Sequence, residues 1–285
     1  RAHRAGLVSY YGQLIGHFLD CGIRGFRCDA AYLVPAGIWS QLISFARFKR
    51  NDATFFAETL GCRLDQIAAL HSAGFDYLFN SAKWWDFRSP WLLEQYNSFR
   101  YIAPSVAFPE SHDTERVAAD LEREGLHDPV LIERAYRMRY MFTAVFSTGV
   151  MMPVGFEYGF RGRLDVVHTR PEHWETPLFD ISGYIAEVNR MRAGIPILNE
   201  EGPQNQIDGG DPAVVCLLRR AHAGPAWVLS VFNTDLHHGR DARIVAIDDA
   251  AFAAREVTPG NDGTGIAAGE SFRLAPGAAR IFVNY

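Results

Sequence analysis

The sequence predicts an α/β domain built on a parallel sheet, followed by a small antiparallel β domain. Up to about residue 194, short apolar strands alternate with helices whose apolar positions recur every three or four residues. Beyond that point, short alternating strands follow one another, with Gly, Pro, Asp and Asn turns and no helical pattern between them. We therefore predict two domains, residues 1–194 and 195–285.

Composition and charge exclude several classes of protein. The 285 residues are 48% hydrophobic and 21% charged, which is close to the average of soluble globular proteins and excludes disordered, collagen-like and disulfide-scaffold chains. The net charge of −5 is spread without long runs of one sign, so we expect neither a nucleic acid nor a membrane as a partner. The most apolar stretch, Met141 to Phe156, is too short for a spanning helix. No apolar signal segment opens the chain, and we expect a cytoplasmic protein.

The cysteines have neither CxxC spacing nor Cys/His spacing, so they predict no zinc site and no disulfide framework. We expect four buried thiols, at Cys21, Cys28, Cys62 and Cys216.

The first domain alternates strands and helices, as parallel sheets with helical crossovers do. The predicted helices run from Leu7 to Cys21, Ile38 to Phe48, Leu64 to Ser72, Pro90 to Tyr101, Pro129 to Phe146 and Ile181 to Arg192. The predicted strands run from Gly25 to Asp29, Ala53 to Glu58, Phe75 to Phe79, Ser105 to Phe108 and Val150 to Val154. Five strands are too few to close an eight-stranded barrel.

The second domain shows only strand patterns. Its predicted strands are Val214 to Arg219, Trp227 to Asn233, Arg243 to Ile247, Ser271 to Leu274 and Arg280 to Val283. The Gly- and Ala-rich run from Gly260 to Gly269 predicts a loop.

Arg27 and Asp29 lie two residues apart on the first predicted strand, so their side chains share one face, opposite Phe26 and Cys28. A guanidinium within a few Å keeps a carboxylate ionised, as a carboxylate nucleophile requires. The alternative is a structural ion pair that closes the strand.

Glu58 follows the apolar run Phe55-Phe56-Ala57 at the end of the next predicted strand. Apolar surroundings favour a protonated carboxyl group, which suits a general acid. A helix-capping or surface glutamate is the alternative.

His112 and Asp113 follow the strand that ends near Phe108, at the end of a sheet where α/β enzymes place their sites. In isolation, a structural histidine or an aspartate helix cap explains such a pair more often. A metal site would need further ligands, and none has suitable spacing.

The three carboxylates are separated by about one and about two β/α units, so they are predicted to lie at the same end of one sheet. One carboxylate stands beside an arginine, one in apolar surroundings and one beside a histidine. Cleavage of a glycosidic bond with retention requires this combination of a nucleophile, an acid/base and a transition-state stabiliser.

Three segments resemble motifs of the α-amylase family, glycoside hydrolase family 13, in the family's order: Gly25 to Ala31, Phe56 to Thr59 and Ser111 to Thr114. The strand from Gly149 to Glu157 resembles the family's eighth barrel strand, and the β domain resembles its C-terminal sandwich. The resemblance covers essentially the whole chain. It implies a partial (β/α)8 TIM barrel, about strands four to eight, followed by a small antiparallel β-sandwich domain.

The resemblance implies a role for each site residue. Asp29 would be the nucleophile that forms a covalent glycosyl-enzyme, and Glu58 would protonate the leaving oxygen and then activate water or an acceptor sugar. Arg27 would hold Asp29 ionised. Asp113 would bind hydroxyls of the distorted sugar ring, and His112 would donate to a neighbouring hydroxyl.

The chain also departs from the family's pattern. Ser111 stands where the family often has Asn, and Ala31-Tyr32-Leu33 stands where it often has Lys-His, which removes a contact common in starch-hydrolysing members. Tyr32 would stack on a sugar face or pack in the core. Because the family's first three strands have no counterpart here, we expect the C-terminal part of a longer polypeptide, inactive on its own.

Aromatic residues after the third predicted strand would form either a sugar-stacking platform or part of the core. They are Trp84, Trp85, Phe87 and Trp91. Glu157 and Tyr158 are candidates for the rim of the site.

The predicted function is that of a retaining enzyme that acts on α-1,4-linked glucosyl units of an α-glucan or malto-oligosaccharide, by hydrolysis or by transfer to a sugar or to phosphate. We predict no required cofactor and no metal ligands in this chain. Calcium stays open, because the family's calcium sites usually draw on the preceding part of the barrel. The alternatives are a maltosyl- or glucosyltransferase of the same family and a non-catalytic carbohydrate-binding relative. Such relatives typically lack one of the three carboxylates.

Overall fold

The computed structural model describes residues 2–248, 250–261 and 263–285. The chain forms two compact units: the first comprises Arg1–Ser81 and Glu94–Val106, and the second comprises Ala82–Leu93 and Ala107–Tyr285. Within the described ranges, no helix combines the length and the apolar character needed to cross a lipid bilayer. The domain boundary between residues 194 and 195 stays a prediction.

The described part of the chain contains helices and strands in the alternating order that the sequence predicts. The α-helices are α1 (Ala2–Asp20), α2 (Ala36–Lys49), α3 (Leu64–Ala68), α4 (Trp91–Phe99), α5 (Val117–Arg123), α6 (Pro129–Phe146) and α7 (Ser182–Ala193). The strands that alternate with the helices are β1 (Gly25–Cys28), β2 (Thr54–Ala57), β3 (Tyr77–Phe79), β4 (Ser105–Ala107) and β5 (Gly149–Val150). The later strands are β6 (Gln204–Ile207), β7 (Val214–Arg220), β8 (Trp227–Asn233), β9 (Arg240–Arg243), β10 (Ala253–Glu256), β11 (Gly265–Ala267), β12 (Ser271–Leu274) and β13 (Ala279–Val283).

The first unit is built on a parallel sheet in which β1 to β4 pair in chain order. Alternation along β1 and β2 separates two faces. Phe26 and Cys28 pack with Phe55 in a hydrophobic cluster, whereas Arg27 is opposite Phe56 in the ladder, on the other face. The sheet therefore presents Arg27 away from that cluster, as the sequence predicts.

The second unit contains α6 and an aromatic cluster around it. Asp128 caps α6 by accepting a hydrogen bond from the N–H of Val130 at 2.9 Å, and Pro129 occupies the first turn. The ring of Phe142 lies 4.8 to 5.9 Å from four other aromatic rings, measured between centroids. These rings belong to Trp85, Phe87, Phe146 and Phe232.

The later strands of the second unit form antiparallel sheets. One has the order β11-β10-β13-β8-β7-β6, and the other pairs β12 with β9. Both contribute to one hydrophobic cluster, in which Cys216 and Leu229 of the larger sheet lie with Ala242 and Leu274 of the smaller one. The prediction of an antiparallel β region after a parallel α/β region is therefore confirmed.

Several predicted elements are wrong in position or kind. The strand predicted from Arg243 to Ile247 is wrong in position: β9 spans Arg240–Arg243 and pairs with β12, whereas Ile247 forms an isolated bridge with Ala250. The loop predicted from Gly260 to Gly269 contains β11, which pairs with β10 although its Gly and Ala residues have low β propensity. Asp262, in the same predicted loop, lies outside the described residues.

The prediction of four buried thiols is wrong for two of them. Cys28 and Cys216 are buried, and burial raises the pKa of each thiol to about 12. Cys21 is exposed because it follows the end of α1, and Cys62 is half-buried with its thiol donating to the carbonyl of Thr59. All four are free thiols.

The aromatic cluster around α6 predicts the effect of a single truncation. Phe142→Ala removes a ring that is 2% exposed, and we expect it to lower the free energy of unfolding by about 3–5 kcal/mol. Phe48→Ala is the matched control: this ring is 93% exposed, so we expect a change within about 0.5 kcal/mol. Urea unfolding followed by circular dichroism compares the two variants. Equal losses would contradict the assignment of Phe142 to the core.

Candidate active site

Asp29 lies directly after β1 and forms an ion pair with Arg27. The Nη1 of Arg27 donates to Oδ1 of Asp29 at 2.9 Å, and the Asp29 side chain is 85% exposed. Exposed ion pairs contribute only about 0–1 kcal/mol to stability, so stabilising the strand is a weak reason for this pair. The arrangement presents an open carboxylate beside a guanidinium, the state that a nucleophilic carboxylate needs.

Glu58 lies directly after β2 and connects the ends of β1 and β2. Its backbone N–H donates to the carbonyl of Cys28 at 3.0 Å, and its carbonyl accepts from the N–H of Ala31 at 3.1 Å. Its side-chain Oε2 accepts from the N–H of Ala30 at 2.7 Å. Ala30 has φ 41° and ψ 45°, a left-handed conformation that costs a non-glycine residue about 1–2 kcal/mol. This strained residue separates the two strand ends that carry the candidate carboxylates.

The surroundings of Glu58 differ from the purely apolar site that the sequence predicts. The residue is 9% exposed, as expected, but its carboxyl oxygens both accept backbone hydrogen bonds, from Ala30 at 2.7 Å and from Leu60 at 3.1 Å. Burial excludes the surface alternative, whereas the donor Ala30 directly precedes the 3₁₀ turn Ala31–Leu33, as the capping alternative requires.

Asp29 and Glu58 are close neighbours in space. Covalent geometry places the Asp29 carboxyl group within about 6 Å of the Ala30 nitrogen, so the 2.7 Å bond from that nitrogen to Glu58 limits the separation of the two carboxyl groups to about 9 Å. The two carboxyl groups of retaining glycosidases are about 5–5.5 Å apart, a separation that lies within this upper limit. The first unit therefore brings together two of the three predicted carboxylates at a separation compatible with that chemistry.

Tyr32 lies in a short 3₁₀ turn, Ala31–Leu33, directly after this pair. It is half-buried and packs against the hydrophobic cluster of the first unit that contains Phe55 and Leu78. This position favours the packing alternative over stacking on a sugar.

His112 and Asp113 belong to the second unit and form a pair of their own there. The Nε2 of His112 lies 3.0 Å from Oδ2 of Asp113, whose side chain is 58% exposed. Ser111 is buried in a turn: its hydroxyl accepts from the N–H of Asp113 at 3.2 Å, and its own N–H donates to the hydroxyl of Thr114 at 2.9 Å. The Ser-His-Asp segment is therefore held by a local turn, with its aspartate directed toward solvent.

A buried ion pair flanks this segment, and the sequence analysis did not single it out. Glu110 is fully buried, and its Oε1 accepts from Nη1 of Arg116 at 2.6 Å, while its Oε2 accepts from the N–H of Val117 at 2.8 Å. Burial raises the pKa of Glu110, an effect that the Arg116 guanidinium opposes. Arg116 also donates to the carbonyls of Val154 and Gly162, at 2.9 and 3.0 Å. In the sequence, this ion pair is indicated by two residues of opposite charge, Glu110 before the Ser-His-Asp segment and Arg116 after it.

The aromatic residues after β3 divide into two groups. Trp85 and Phe87 are buried in the cluster around α6, so the core alternative holds for them. Trp84 is 49% exposed and contacts Phe108 edge to face, at 6.0 Å between ring centroids. Trp91 is half-buried.

A cavity of about 540 Å³ adjoins the Ser-His-Asp segment within the second unit. Arg116 and Arg163 line it, and Nη2 of Arg163 donates to the carbonyl of Asp113 at 3.2 Å. Trp174, which is 55% exposed, and Phe160 supply aromatic surface, with their rings perpendicular at 5.1 Å. The sequence analysis missed Trp174, although Trp, His and Arg are dense around it.

Glu157 and Tyr158, predicted at the rim, are half-buried near this cavity's aromatic wall. The Oε2 of Glu157 accepts from the N–H of Gly155, and the Tyr158 ring lies 6.1 Å from that of Trp174. Gly155 has φ 92°, and an added Cβ would lie 2.3 Å from Phe160, so glycine is required at this bend. Among the described residues, no group of three or more His, Cys, Asp or Glu side chains is placed to hold a metal ion.

Comparison with known proteins supports the resemblance seen in the sequence. No family model matches the chain. An α-1,4-glucan:maltose-1-phosphate maltosyltransferase of Burkholderia pseudomallei is 32% identical over 286 residues, a match that covers 96% of this chain. The chain spans 25% of the length of that relative.

Solved structures show the same fold. A crystal structure of an Anoxybacillus α-amylase matches 99% of this chain and 64% of its own, with a TM-score of 0.76 and 14% identity. An α-amylase of Geobacillus thermoleovorans, complexed with acarbose, matches 98% of this chain and 63% of its own, with a TM-score of 0.71 and 15% identity. Together with the maltosyltransferase match, these similarities confirm the resemblance that the three motifs indicate: the chain has the fold of α-amylases and is similar in sequence to a maltosyltransferase over nearly all of its own length.

Proposed function

We propose that this chain carries the catalytic carboxylates of a retaining enzyme that acts on α-1,4-linked glucosyl units. The observation that supports the proposal most is the geometry at the ends of β1 and β2. An arginine-paired, exposed Asp29 lies within about 9 Å of a buried Glu58 whose orientation two backbone N–H groups fix.

The proposed reaction has two steps. In the first, the Asp29 carboxylate attacks the anomeric carbon, the glycosidic C–O bond breaks, and the Glu58 carboxyl group gives its proton to the leaving oxygen. In the second, the Glu58 carboxylate takes a proton from water or an acceptor hydroxyl, which attacks the same carbon and releases Asp29. The guanidinium of Arg27 orients the Asp29 carboxylate through their hydrogen bond.

Asp113 and His112 are proposed to bind hydroxyls of the sugar at which the reaction takes place. Their hydrogen bonds strengthen as positive charge develops on the ring, and this difference between ground state and transition state lowers the barrier. The buried Glu110–Arg116 pair positions the segment that carries them, because its hydrogen bonds reach Val117, Val154 and Gly162. Trp174 offers an exposed face on which a sugar ring can pack.

Transfer of a maltosyl group is the second candidate, and the maltosyltransferase relative favours it. This candidate agrees with the segment Ala31-Tyr32-Leu33, which stands in place of the Lys-His common in starch-hydrolysing members.

In finer detail, we propose that β1 to β5 correspond to strands four to eight of a (β/α)8 barrel in residues 1–194, and that residues 195–285 form the C-terminal sandwich. We also propose that the protein is cytoplasmic and that it needs no added cofactor. The proposal does not extend to a requirement for calcium.

One experiment tests the proposed function. The natural full-length protein is incubated with maltoheptaose alone, with maltoheptaose and phosphate, and with maltose 1-phosphate and maltoheptaose, and the products are separated by chain length. Shorter sugars alone indicate hydrolysis, a ladder of longer and shorter sugars indicates disproportionation, and lengthening by two glucosyl units with release of phosphate indicates maltosyl transfer. Unchanged sugars in all three incubations would contradict every form of the proposal.

Asp29→Ala is expected to lower kcat of the full-length protein by about 10⁴-fold or more, because it removes the group that forms the covalent intermediate. Asp65→Ala is the matched control. Asp65 also follows its partner arginine by two residues, with Arg63 at 2.8 Å, and is exposed, so its loss should leave turnover unchanged. Product release from maltoheptaose measures both variants. Similar losses of kcat in the two variants would contradict the assignment of Asp29 as the nucleophile.

Glu58→Gln is expected to slow substrates with sugar leaving groups by about 10²- to 10⁴-fold. A maltosyl fluoride donor needs no proton on its leaving group, so its first step should be much less affected. The ratio of the two rates, variant against wild type, measures the role of Glu58 as acid. Equal losses on both donors would assign the proton to another group.

Glu110→Gln is expected to leave Arg116 buried without its partner and to lower kcat/KM by about 10²-fold through displacement of the His112–Asp113 segment. A second variant, Glu110→Gln with Arg116→Met, removes both charges and should recover thermal stability but not activity, because Arg116 no longer bonds Val154 and Gly162. Recovery of both stability and kcat/KM would reduce the pair to a purely structural role.

A further inference from the structure

A second cavity, of about 770 Å³, lies in the second unit outside the residues proposed for catalysis. Its walls come from the segment after β3, from α5 and α6, and from the turn after β8. Its volume falls in the range of about 300–1,000 Å³ that small-molecule sites occupy. The side chains that matter here are Trp84, Arg88, Glu124 and Arg139.

Arg139 brings an unsatisfied donor to this cavity. Its Nε atom is buried and has no hydrogen-bond partner among the residues that the structure describes. Burial lowers the pKa of its guanidinium, with Glu124 and Asp120 acting in the opposite direction. A buried donor without an acceptor costs about 1–3 kcal/mol, and an oxygen of a bound molecule would remove that cost.

Trp84 brings an exposed aromatic surface to the same cavity. Its side chain is 49% exposed, and the edge-to-face contact with Phe108 fixes the ring. Trp85, the next residue, is 2% exposed, so only one of the two adjacent tryptophans packs in the core. A fixed and exposed indole is the surface on which the C–H face of a sugar packs.

The charges around the cavity favour a neutral ligand. Among the described lining residues, three are cationic and three are acidic: Lys83, Arg88 and Arg139, with Asp86, Asp120 and Glu124. Lys83 donates to Asp120 at 2.8 Å, and hydrogen bonds from Ser89 and Arg88 lower the pKa of Asp86 to about 2. The formal charges cancel, which disfavours a phosphate and suits a polyhydroxyl molecule that both donates and accepts hydrogen bonds.

We propose that this cavity is a second α-glucan-binding site, in which a pyranose ring packs on Trp84 while its oxygens accept from Arg139 and its hydroxyls donate to Glu124. The choice of an α-glucan rests on the proposed function. The site holds a polymer on the second unit independently of the carboxylates at β1 and β2.

Affinity electrophoresis of the full-length protein in native gels, with and without glycogen, tests this site. We expect glycogen to retard the wild type and Asp29→Ala alike, because binding does not need the nucleophile. Trp84→Ala should raise the apparent dissociation constant for glycogen by about tenfold, and Trp84→Tyr should keep most of the retardation because it keeps a ring. Tyr101→Ala is the control, since this aromatic residue is 69% exposed and is not among the residues that line the cavity.

Arg139→Met removes the donor while keeping the length of the side chain, and it should weaken retardation as Trp84→Ala does. Circular dichroism and thermal unfolding of each variant establish that the loss is not one of folding. If folded Trp84→Ala and folded Arg139→Met are both retarded like the wild type, or if the wild type is not retarded at all, the proposal of a second site is wrong.

Turnover of maltoheptaose by the full-length protein is measured in parallel. Its absence contradicts the proposed function, while a Trp84-dependent retardation would still establish the binding site.

Discussion

The hydrogen bond from the N–H of Ala30 to Glu58 is the contact on which the candidate active site depends. It connects the residue after Asp29 to the carboxyl group that ends the neighbouring strand, at 2.7 Å. The ladder of β1 and β2 brings these two strand ends together, and the left-handed conformation of Ala30 turns its N–H toward Glu58. Local strain at such a site persists only where the surrounding structure enforces it, and here the backbone bonds of Glu58 with Cys28 and Ala31 do so.

Two ion pairs in this chain illustrate opposite uses of charge. The Arg27–Asp29 pair is exposed, so it contributes little to stability but leaves a carboxylate open to a substrate. The Glu110–Arg116 pair is almost fully buried, so removal of either partner leaves a costly uncompensated charge. The first arrangement suits chemistry, whereas the second suits the fixing of a segment that carries other polar groups.

The sequence predicts the elements best where local and long-range preferences agree. The bounds of α6 match the prediction because Asp128 and Pro129 define its start by local chemistry. The strand β11 could not be predicted from Gly265 and Ala267, because these residues have low β propensity and the strand forms only by pairing with β10. Similarly, Trp85 is buried and Trp84 is exposed because only Trp85 packs against Phe142 of α6. Two adjacent tryptophans in a sequence do not indicate which of them packs in the core.

The candidate site shows the same division. The alternation of β1 correctly predicts that Arg27 and Asp29 meet, because strand geometry has a fixed period of two. The backbone donors that meet Glu58 depend on the conformation of Ala30, and no sequence pattern specifies a left-handed alanine. This difference bears on mechanism. A glutamate held by two N–H groups is fixed in orientation before a sugar arrives, so less ordering is needed in the transition state. The sequence therefore identifies the groups that are proposed to react, whereas the tertiary structure determines how firmly each one is held.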